Sequence, residues 1–178
     1  LEEADVLVIN DASTDRTAEI AKSMGCAVVT NIYNLGYGSG LQIGYKYAVK
    51  MGYDYVIQMD ADGQHDVCNV RRLYEELLKR DGEGKQLDIV LGSRFLDGSV
   101  TYPISLAKKI GYQIFRLLIR LCAGRKILDP TTGLQGLSRR AFTFYAQYNH
   151  FDDKYQDANM LMQMLLLVIR QQCEPMER

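Results

Sequence analysis

The segment at residues 60–64 carries two aspartates and a glutamine in the order Asp60-Ala61-Asp62-Gly63-Gln64. Carboxylates this close repel each other and need solvent or a cation to stay ionised together. In an extended chain the Cα atoms of residues i and i+2 lie about 6.6 Å apart on one face, so Asp60 and Asp62 can face one ligand without both binding one ion. Oxygen donors favour a hard divalent cation, Mg²⁺ or Mn²⁺. The segment therefore predicts a site where such an ion neutralises a departing diphosphate.

Two further polar turns follow apolar strands in the sequence. Asp11 follows the apolar run at residues 6–9 with only Asn10 between them, and a glycine-rich loop at residues 34–40 includes Gly36 and Gly38. Taken singly, each is explained by the frequency of Asp and Gly in turns. Taken together with Asp60, they collect at the carboxyl ends of predicted parallel strands, which is where open α/β sheets bind ligands.

Alternating strand and helix patterns position these residues. Apolar runs predict strands at residues 6–9, 27–29, 55–59 and 87–91. Helices are predicted from Ser13 or Thr14 to about Met24, from the glycine loop to Met51, over 67–80 with Asp66 as N-cap, over 105–122, from about Ser138 and from about Asp157. A short segment without a predicted strand precedes Ser138. The order predicts an α/β fold with a largely parallel open sheet flanked by helices.

Length and composition fit one catalytic domain over residues 1–178. The formal net charge of -1 provides no global field that would attract nucleic acid. The four cysteines, at 26, 68, 122 and 173, match no zinc spacing and fit reduced thiols in a cytoplasmic protein. The chain begins without Met and nearly inside a strand, so we expect the natural domain to extend beyond both ends.

The motifs resemble, in order, those of family 2 glycosyltransferases of the GT-A fold. The resemblance is strongest to the branch that includes dolichyl-phosphate mannose synthase and polyprenyl-phosphate sugar transferases. It rests on VINDASTD at 8–15, NLGYGSGLQIGYKYA at 34–48, DADGQHD at 60–66, DIVLGSRF at 88–95 and DPTTGLQGLSRRAF at 129–142. It implies transfer of a sugar, with inversion, from a nucleotide diphosphate sugar to an acceptor such as a lipid phosphate.

The resemblance also implies roles for residues on the donor side. Asp11 would contact the base or ribose, and Asp60 would face the nucleotide. Asp62 would hold the metal, Gln64 would add a ligand, and Arg94 would bind a phosphate. For Arg94 the alternative is an ordinary surface ion pair.

On the acceptor side, Asp129, Thr132 and Gly133 would line the sugar or the acceptor. Asp129 is a catalytic candidate together with Asp157, which stands where many members carry a catalytic base. A turn before Pro130 is the alternative role of Asp129. The family's opening strand would precede residue 1, so its absence predicts an open sheet interior and a chain that is unstable or self-associates.

The predicted helix over 105–122 has a basic stripe beside a broad apolar face. Lys109, Gln113, Arg116 and Arg120 recur at helical spacing. Such a helix can lie on an anionic membrane surface. The alternative, which we favour, is a solvated face on a helix packed against the sheet.

Two other functions compete with glycosyl transfer. A sugar-1-phosphate nucleotidylyltransferase combines a similar sheet with acidic metal ligands, but it needs a basic, glycine-rich phosphate loop near its start. A receiver-type regulatory domain would use Asp11 and Asp60 at strand ends, but it has no need of Asp62, Gln64 or the long C-terminal half.

Overall fold

The computed structural model describes residues 4–92 except 64 and 83, residues 113, 117, 120 and 121, and residues 132–148. In order, its elements are β1 (Leu7–Asn10), α1 (Thr17–Ser23), β2 (Ala27–Thr30), α2 (Tyr37–Met51), β3 (Tyr55–Gln58), α3 (Cys68–Leu77), β4 (Ile89–Leu91), β5 (Gln135–Ser138) and α4 (Arg139–Tyr148).

The strands form two groups. β1 and β2 pair in parallel, with Leu7 opposite Ala27. β5 lies between β3 and β4 and runs antiparallel to both. β3 and β4 therefore run parallel to each other, and the predicted α/β fold is confirmed with one antiparallel strand inserted among the parallel ones. Within the described residues, no ladder joins β1 to β3.

β5 is a strand that the sequence analysis did not predict. Its residues, Gln-Gly-Leu-Ser, have little intrinsic β propensity. Gly136 is required at its centre because a Cβ built there would lie 2.9 Å from Cδ1 of Leu77 on α3. The strand is stabilised by pairing on both edges and by burial of all four residues.

The first helix begins later than predicted. α1 starts at Thr17, and neither Ser13 nor Thr14 caps it. Instead the side-chain oxygen of Asn10 accepts from the backbone N–H of Ser13 at 3.3 Å, which extends the turn after β1. Asp15 accepts from the backbone N–H of Thr17 at 2.9 Å and so satisfies a donor at the helix start.

The second helix begins inside the segment predicted to be a glycine loop. α2 starts at Tyr37, directly after Gly36, whose φ of 83° favours glycine. Within the helix, Cβ atoms built at Gly40 and Gly44 would lie 3.7 and 3.8 Å from the Ile9 side chain. These distances are ordinary van der Waals contacts, so this face of α2 packs on β1 and a methyl group would fit at either glycine.

A second contact of α2 forms the main core. Tyr45 and Ala48 pack with Leu137 of β5 and with one face of α4. The rings of Tyr45 and Tyr145 stack with centroids 5.5 Å apart. α2 thus packs on β1 and also on the group of strands that contains β3.

The remaining sequence predictions concern the 105–122 helix, the C-terminal helix and the cysteines. The described residues of the predicted 105–122 helix, Gln113, Leu117, Arg120 and Leu121, are helical and exposed. Leu117 and Leu121 are 56% and 72% exposed, whereas both would be buried if the helix packed on the sheet through its apolar face.

The helix predicted from Asp157 lies outside the described residues. Among those that are described, no helix is long and apolar enough to cross a membrane. Cys26 and Cys68 form no disulfide.

Candidate active site

Asp60 lies just past the carboxyl end of β3 and accepts a hydrogen bond from Tyr37, the first residue of α2. The Tyr37 hydroxyl donates to Oδ1 of Asp60 at 2.8 Å. The buried amide of Gln58 donates in turn to the Tyr37 oxygen at 3.1 Å. The glycine-rich segment and the acidic segment, which are separate in sequence, therefore meet at this carboxylate.

Gly133 approaches the same carboxylate from the segment that leads into β5. A Cβ built at Gly133 would collide with Oδ2 and Cγ of Asp60. The carbonyl oxygen of Gly133 also accepts from the Gln58 amide at 3.4 Å. The structure thus brings Gly133 to Asp60, and only a residue without a side chain fits this position.

Asp11 bonds to the glycine loop through both carboxylate oxygens. Oδ1 accepts from the Asn31 amide and from the Leu35 backbone N–H, each at 2.8 Å. Oδ2 accepts from the backbone N–H of Gly36 at 2.7 Å. The structure therefore shows Asp11 as an anchor of the loop, and its predicted contact with the base or ribose stays a prediction.

These bonds also set the ionisation of Asp11. Partial burial acts to raise the pKa of its carboxyl, but the bonds from Asn31, Leu35 and Gly36 outweigh it, and the pKa is lower than usual. Asp11 is consequently a carboxylate over the whole physiological range. Gly36 and Gly38 are both half-buried, Gly36 as the residue before α2 and Gly38 in the first turn of α2.

Asp62 lies in a bend and not in an extension of β3. The strand ends at Gln58, residues 61–63 bend, and Gly63 has a φ of 78°. The i, i+2 strand spacing therefore does not apply to Asp60 and Asp62. Asp62 is exposed and Asp60 is half-buried.

The donors at this bend suit a hard cation, because Asp60 and Asp62 offer carboxylate oxygens. Within the described residues, no group of three or more His, Cys, Asp or Glu side chains forms a metal cage. Any ion here would take most of its ligands from water and phosphate oxygens, as Mg²⁺ commonly does. The metal roles of Asp62 and Gln64 stay predictions.

Thr132 is buried at the entrance to β5. Its hydroxyl donates to the carbonyl of Gly92 at 2.7 Å and accepts from the backbone N–H of Leu134 at 3.2 Å. These bonds join the ends of β4 and β5 and so help to place Gly133. A contact of Thr132 with the sugar or acceptor stays a prediction.

Four predicted site residues lie outside the described residues: Gln64, Arg94, Asp129 and Asp157.

The sequence analysis assigned no role to Tyr37 or Gln58. One signal for Gln58 was available, since it is a polar residue in an otherwise apolar strand and its side chain proves to be buried. Buried amides need partners. The partners themselves, at sequence separations of 13, 21 and 75 residues, follow only from the fold.

Comparison with known proteins gives a match to a family model. The model described as glycosyl transferase family 2 matches residues 1–145. The match therefore includes Asp11, Asp60, Asp62 and Gly133, and it ends before Asp157.

Two curated proteins are similar to the chain. An uncharacterized protein of Methanocaldococcus jannaschii is 34% identical over 136 residues, which are 76% of this chain and 54% of that protein. The glycosyltransferase AglJ of Haloferax volcanii is 28% identical over 142 residues, 78% of this chain and 43% of AglJ. The chain thus spans about half the length of these relatives.

Proposed function

The chain belongs to glycosyl transferase family 2, and from this membership we propose that the protein transfers a sugar from a nucleotide diphosphate sugar to an acceptor. The convergence of three segments on Asp60 supports the proposal. The acidic turn, the start of α2 and the segment before β5 meet at the carboxyl end of β3. That edge is where open α/β sheets bind nucleotides. The same membership favours glycosyl transfer over the nucleotidylyltransferase and receiver alternatives.

We propose that Asp62, together with Gln64, holds Mg²⁺ or Mn²⁺ beside the donor diphosphate, while Asp60 faces the nucleotide. The ion, when bound, would stabilise the negative charge of the leaving nucleotide diphosphate. The exposed position of Asp62 supports this role, because it leaves room for water and phosphate oxygens. Asp11, Gly36 and Gly38 would bind the nucleotide, with Arg94 on a phosphate. Thr132 and Gly133 would lie towards the sugar.

For the acceptor, we propose a polyprenyl phosphate that attacks the anomeric carbon from the face opposite the leaving group, so that the configuration inverts. A phosphate monoester has a second pKa of about 6, so the attacking oxygen is largely ionised already and needs little general base. A hydroxyl acceptor would need one, and Asp157 or Asp129 would be the candidate. The exposed Leu117 and Leu121 support contact with a membrane that carries the lipid.

A panel of donors tests the proposal. Purified protein is titrated with UDP-, GDP- and TDP-sugars in the presence of Mg²⁺, Mn²⁺ or Zn²⁺, or of a chelator. We expect one nucleotide to bind, with Mg²⁺ or Mn²⁺ supporting binding better than Zn²⁺, because the site offers oxygen donors. Transfer to a polyprenyl phosphate is then followed with the donor that binds. Tight binding in excess chelator would contradict the metal role, and no binding of any donor would contradict the function.

A further inference from the structure

The two acidic strand ends of the site are connected through the start of α2. Asp11 follows β1, Asp60 follows β3, and no ladder joins these two strands within the described residues. Between them lies one continuous piece of chain. Leu35 and Gly36 donate to Asp11, and the next residue, Tyr37, donates to Asp60. The spacing of the two carboxylates is thus fixed in part by a path of hydrogen bonds.

Tyr37 is itself held by a buried amide. The residue is 41% exposed, so packing alone does not fix the hydroxyl. Gln58 is buried, and its amide nitrogen donates to the Tyr37 oxygen at 3.1 Å. The amide is fixed in turn because Tyr45 donates to its oxygen at 2.5 Å. Burial raises the pKa of Tyr45, so its hydroxyl stays protonated and remains a donor.

Both carboxylate oxygens of Asp60 are in contact with neighbouring segments of the chain. Oδ1 accepts from Tyr37, while Oδ2 lies against the backbone of Gly133. A carboxylate fixed on both sides cannot rotate to suit a ligand, so its direction is set before the ligand arrives. Such pre-organisation lowers the free energy needed to order the site on binding.

We propose that Tyr37 is a positioning residue for Asp60 and that Gln58, held by Tyr45, keeps Tyr37 in place. Tyr37 touches the carboxylate and acts on the nucleotide through it. The inference rests on the proposed function, since it takes Asp60 to face the nucleotide. It adds that the start of α2 contributes a side chain that orients the acidic segment.

A double-mutant cycle tests this proposal. Affinity for the nucleotide diphosphate with Mn²⁺ is measured by titration up to millimolar nucleotide for the wild type, Tyr37→Phe, Asp60→Asn and the double variant. Tyr37→Phe should weaken binding about tenfold, since a hydrogen bond to a charged group is worth at least one such factor. Gln58→Leu should weaken it in the same direction.

The matched control is Tyr55→Phe. It removes a phenol hydroxyl from the opposite end of β3, where the Tyr55 oxygen accepts from Gln86 at 2.8 Å. We expect its affinity to equal that of the wild type. In the Asp60→Asn background, Tyr37→Phe should have no further effect, because a residue that acts through Asp60 has nothing left to position. A merely structural role of Tyr37 would not produce this loss of effect.

Each result has a distinct meaning. A wild type that binds no nucleotide diphosphate would contradict the proposed function, and the positioning role would fail with it. A wild type that binds, with Tyr37→Phe no weaker than Tyr55→Phe, would overturn the positioning role alone. The positioning role would also be overturned if the losses of nucleotide affinity from Tyr37→Phe and Asp60→Asn simply add in the double variant. The role would be supported if Tyr37→Phe weakens nucleotide binding in the wild type but has no effect on it in the Asp60→Asn background.

Discussion

The closest approach in the site is between Gly133 and the Asp60 carboxylate. Gly133→Ala places a methyl group where the carboxylate lies, so Asp60 must rotate away or the backbone before β5 must shift. We expect at least tenfold weaker binding of the nucleotide with Mn²⁺, and an overpacking cost of about 1–3 kcal/mol in the free energy of unfolding. Calorimetric titration and urea unfolding measure the two effects.

Gly82→Ala is the control for this substitution. A Cβ built at Gly82 meets no atom within 4 Å. Binding and stability should therefore match those of the wild type. Wild-type affinity in Gly133→Ala would show that the orientation of Asp60 does not matter for binding.

Asp62 gives a second prediction for a single residue. Asp62→Asn should abolish metal-dependent nucleotide binding and change the free energy of unfolding by less than about 0.5 kcal/mol, because Asp62 is exposed and its removal relieves repulsion with Asp60. Asp54→Asn removes an exposed charge before the start of β3, where Arg139 lies 3.4 Å away, and should leave binding unchanged. Unchanged affinity in Asp62→Asn would contradict the metal assignment.

At the scale of elements, Asp11 anchors the glycine loop to the end of β1. The two carboxylate oxygens of Asp11 accept from the backbone N–H groups of Leu35 and Gly36. Asp11→Asn replaces one of these oxygens with an NH2 group, which cannot accept a hydrogen bond. The loop then loses a hydrogen bond to a charged acceptor, although the Gly36 N–H keeps its 3.0 Å bond to Oδ1 of Asn34, at a cost of about 1 kcal/mol. We expect urea unfolding to show this loss, and nucleotide binding to weaken because the start of α2 loses its anchor.

The lowered pKa of Asp11 also predicts a dependence on pH. Because the folded-state pKa lies below the unfolded value of about 3.9, the carboxylate stabilises the protein fully above that value. The contribution is lost as the pH falls through the folded-state pKa. Asp11→Asn should therefore lose less stability than the wild type between pH 5 and pH 3, in unfolding curves recorded at several pH values. Parallel curves for the two proteins would contradict the anchoring role.

The segment predicted as the 105–122 helix allows a further test. We propose that Leu117 and Leu121, which are exposed one helical turn apart, contact a membrane surface. Replacing both with Gln should lower co-sedimentation with anionic vesicles by more than tenfold, since each buried leucine is worth about 1.5–3 kcal/mol. Leu78→Gln, at an exposed position just past α3, is the control. Equal vesicle binding by all variants would contradict the contact.

At the scale of the whole molecule, each group of strands has an edge without a partner strand in the described residues. β1 is paired only with β2, and β3 only with β5. Unpaired strand edges expose backbone donors and acceptors and favour pairing with another chain. We therefore propose that one strand from outside the described residues pairs with both edges, as the family resemblance implies.

The 178-residue chain alone is the means to test this proposal. If residues 1–178 do not contain the strand that pairs with β1 and β3, we expect the 178-residue chain to self-associate or to melt without cooperativity. Size-exclusion chromatography and thermal melting check the result. A monomeric chain that melts cooperatively at about 45–65 °C, as mesophilic domains do, would contradict an open sheet interior.

The sequence by itself determined the order of elements from β1 to β4 and the position of Asp11 and Asp60 after two of the strands. Short apolar runs ending in Asp11 and Asp60 predicted two strands and the polar residues at their carboxyl ends, because buried parallel strands are apolar throughout. Motif order then indicated the family, which the match to residues 1–145 confirms. These features follow from local sequence, so no tertiary contact was needed to find them.

Only the tertiary structure decided how the site is held together. β5 has little β propensity and forms because β3 and β4 pair with it. Tyr37 and Gly133 reach Asp60 from opposite sides, at separations that no local pattern encodes. The fold also shows that Asp11 anchors the glycine loop, while its contact with the base or ribose stays a prediction. Hydrogen bonds between distant segments depend on where the chain has already packed, and spacing along the sequence carries no such information.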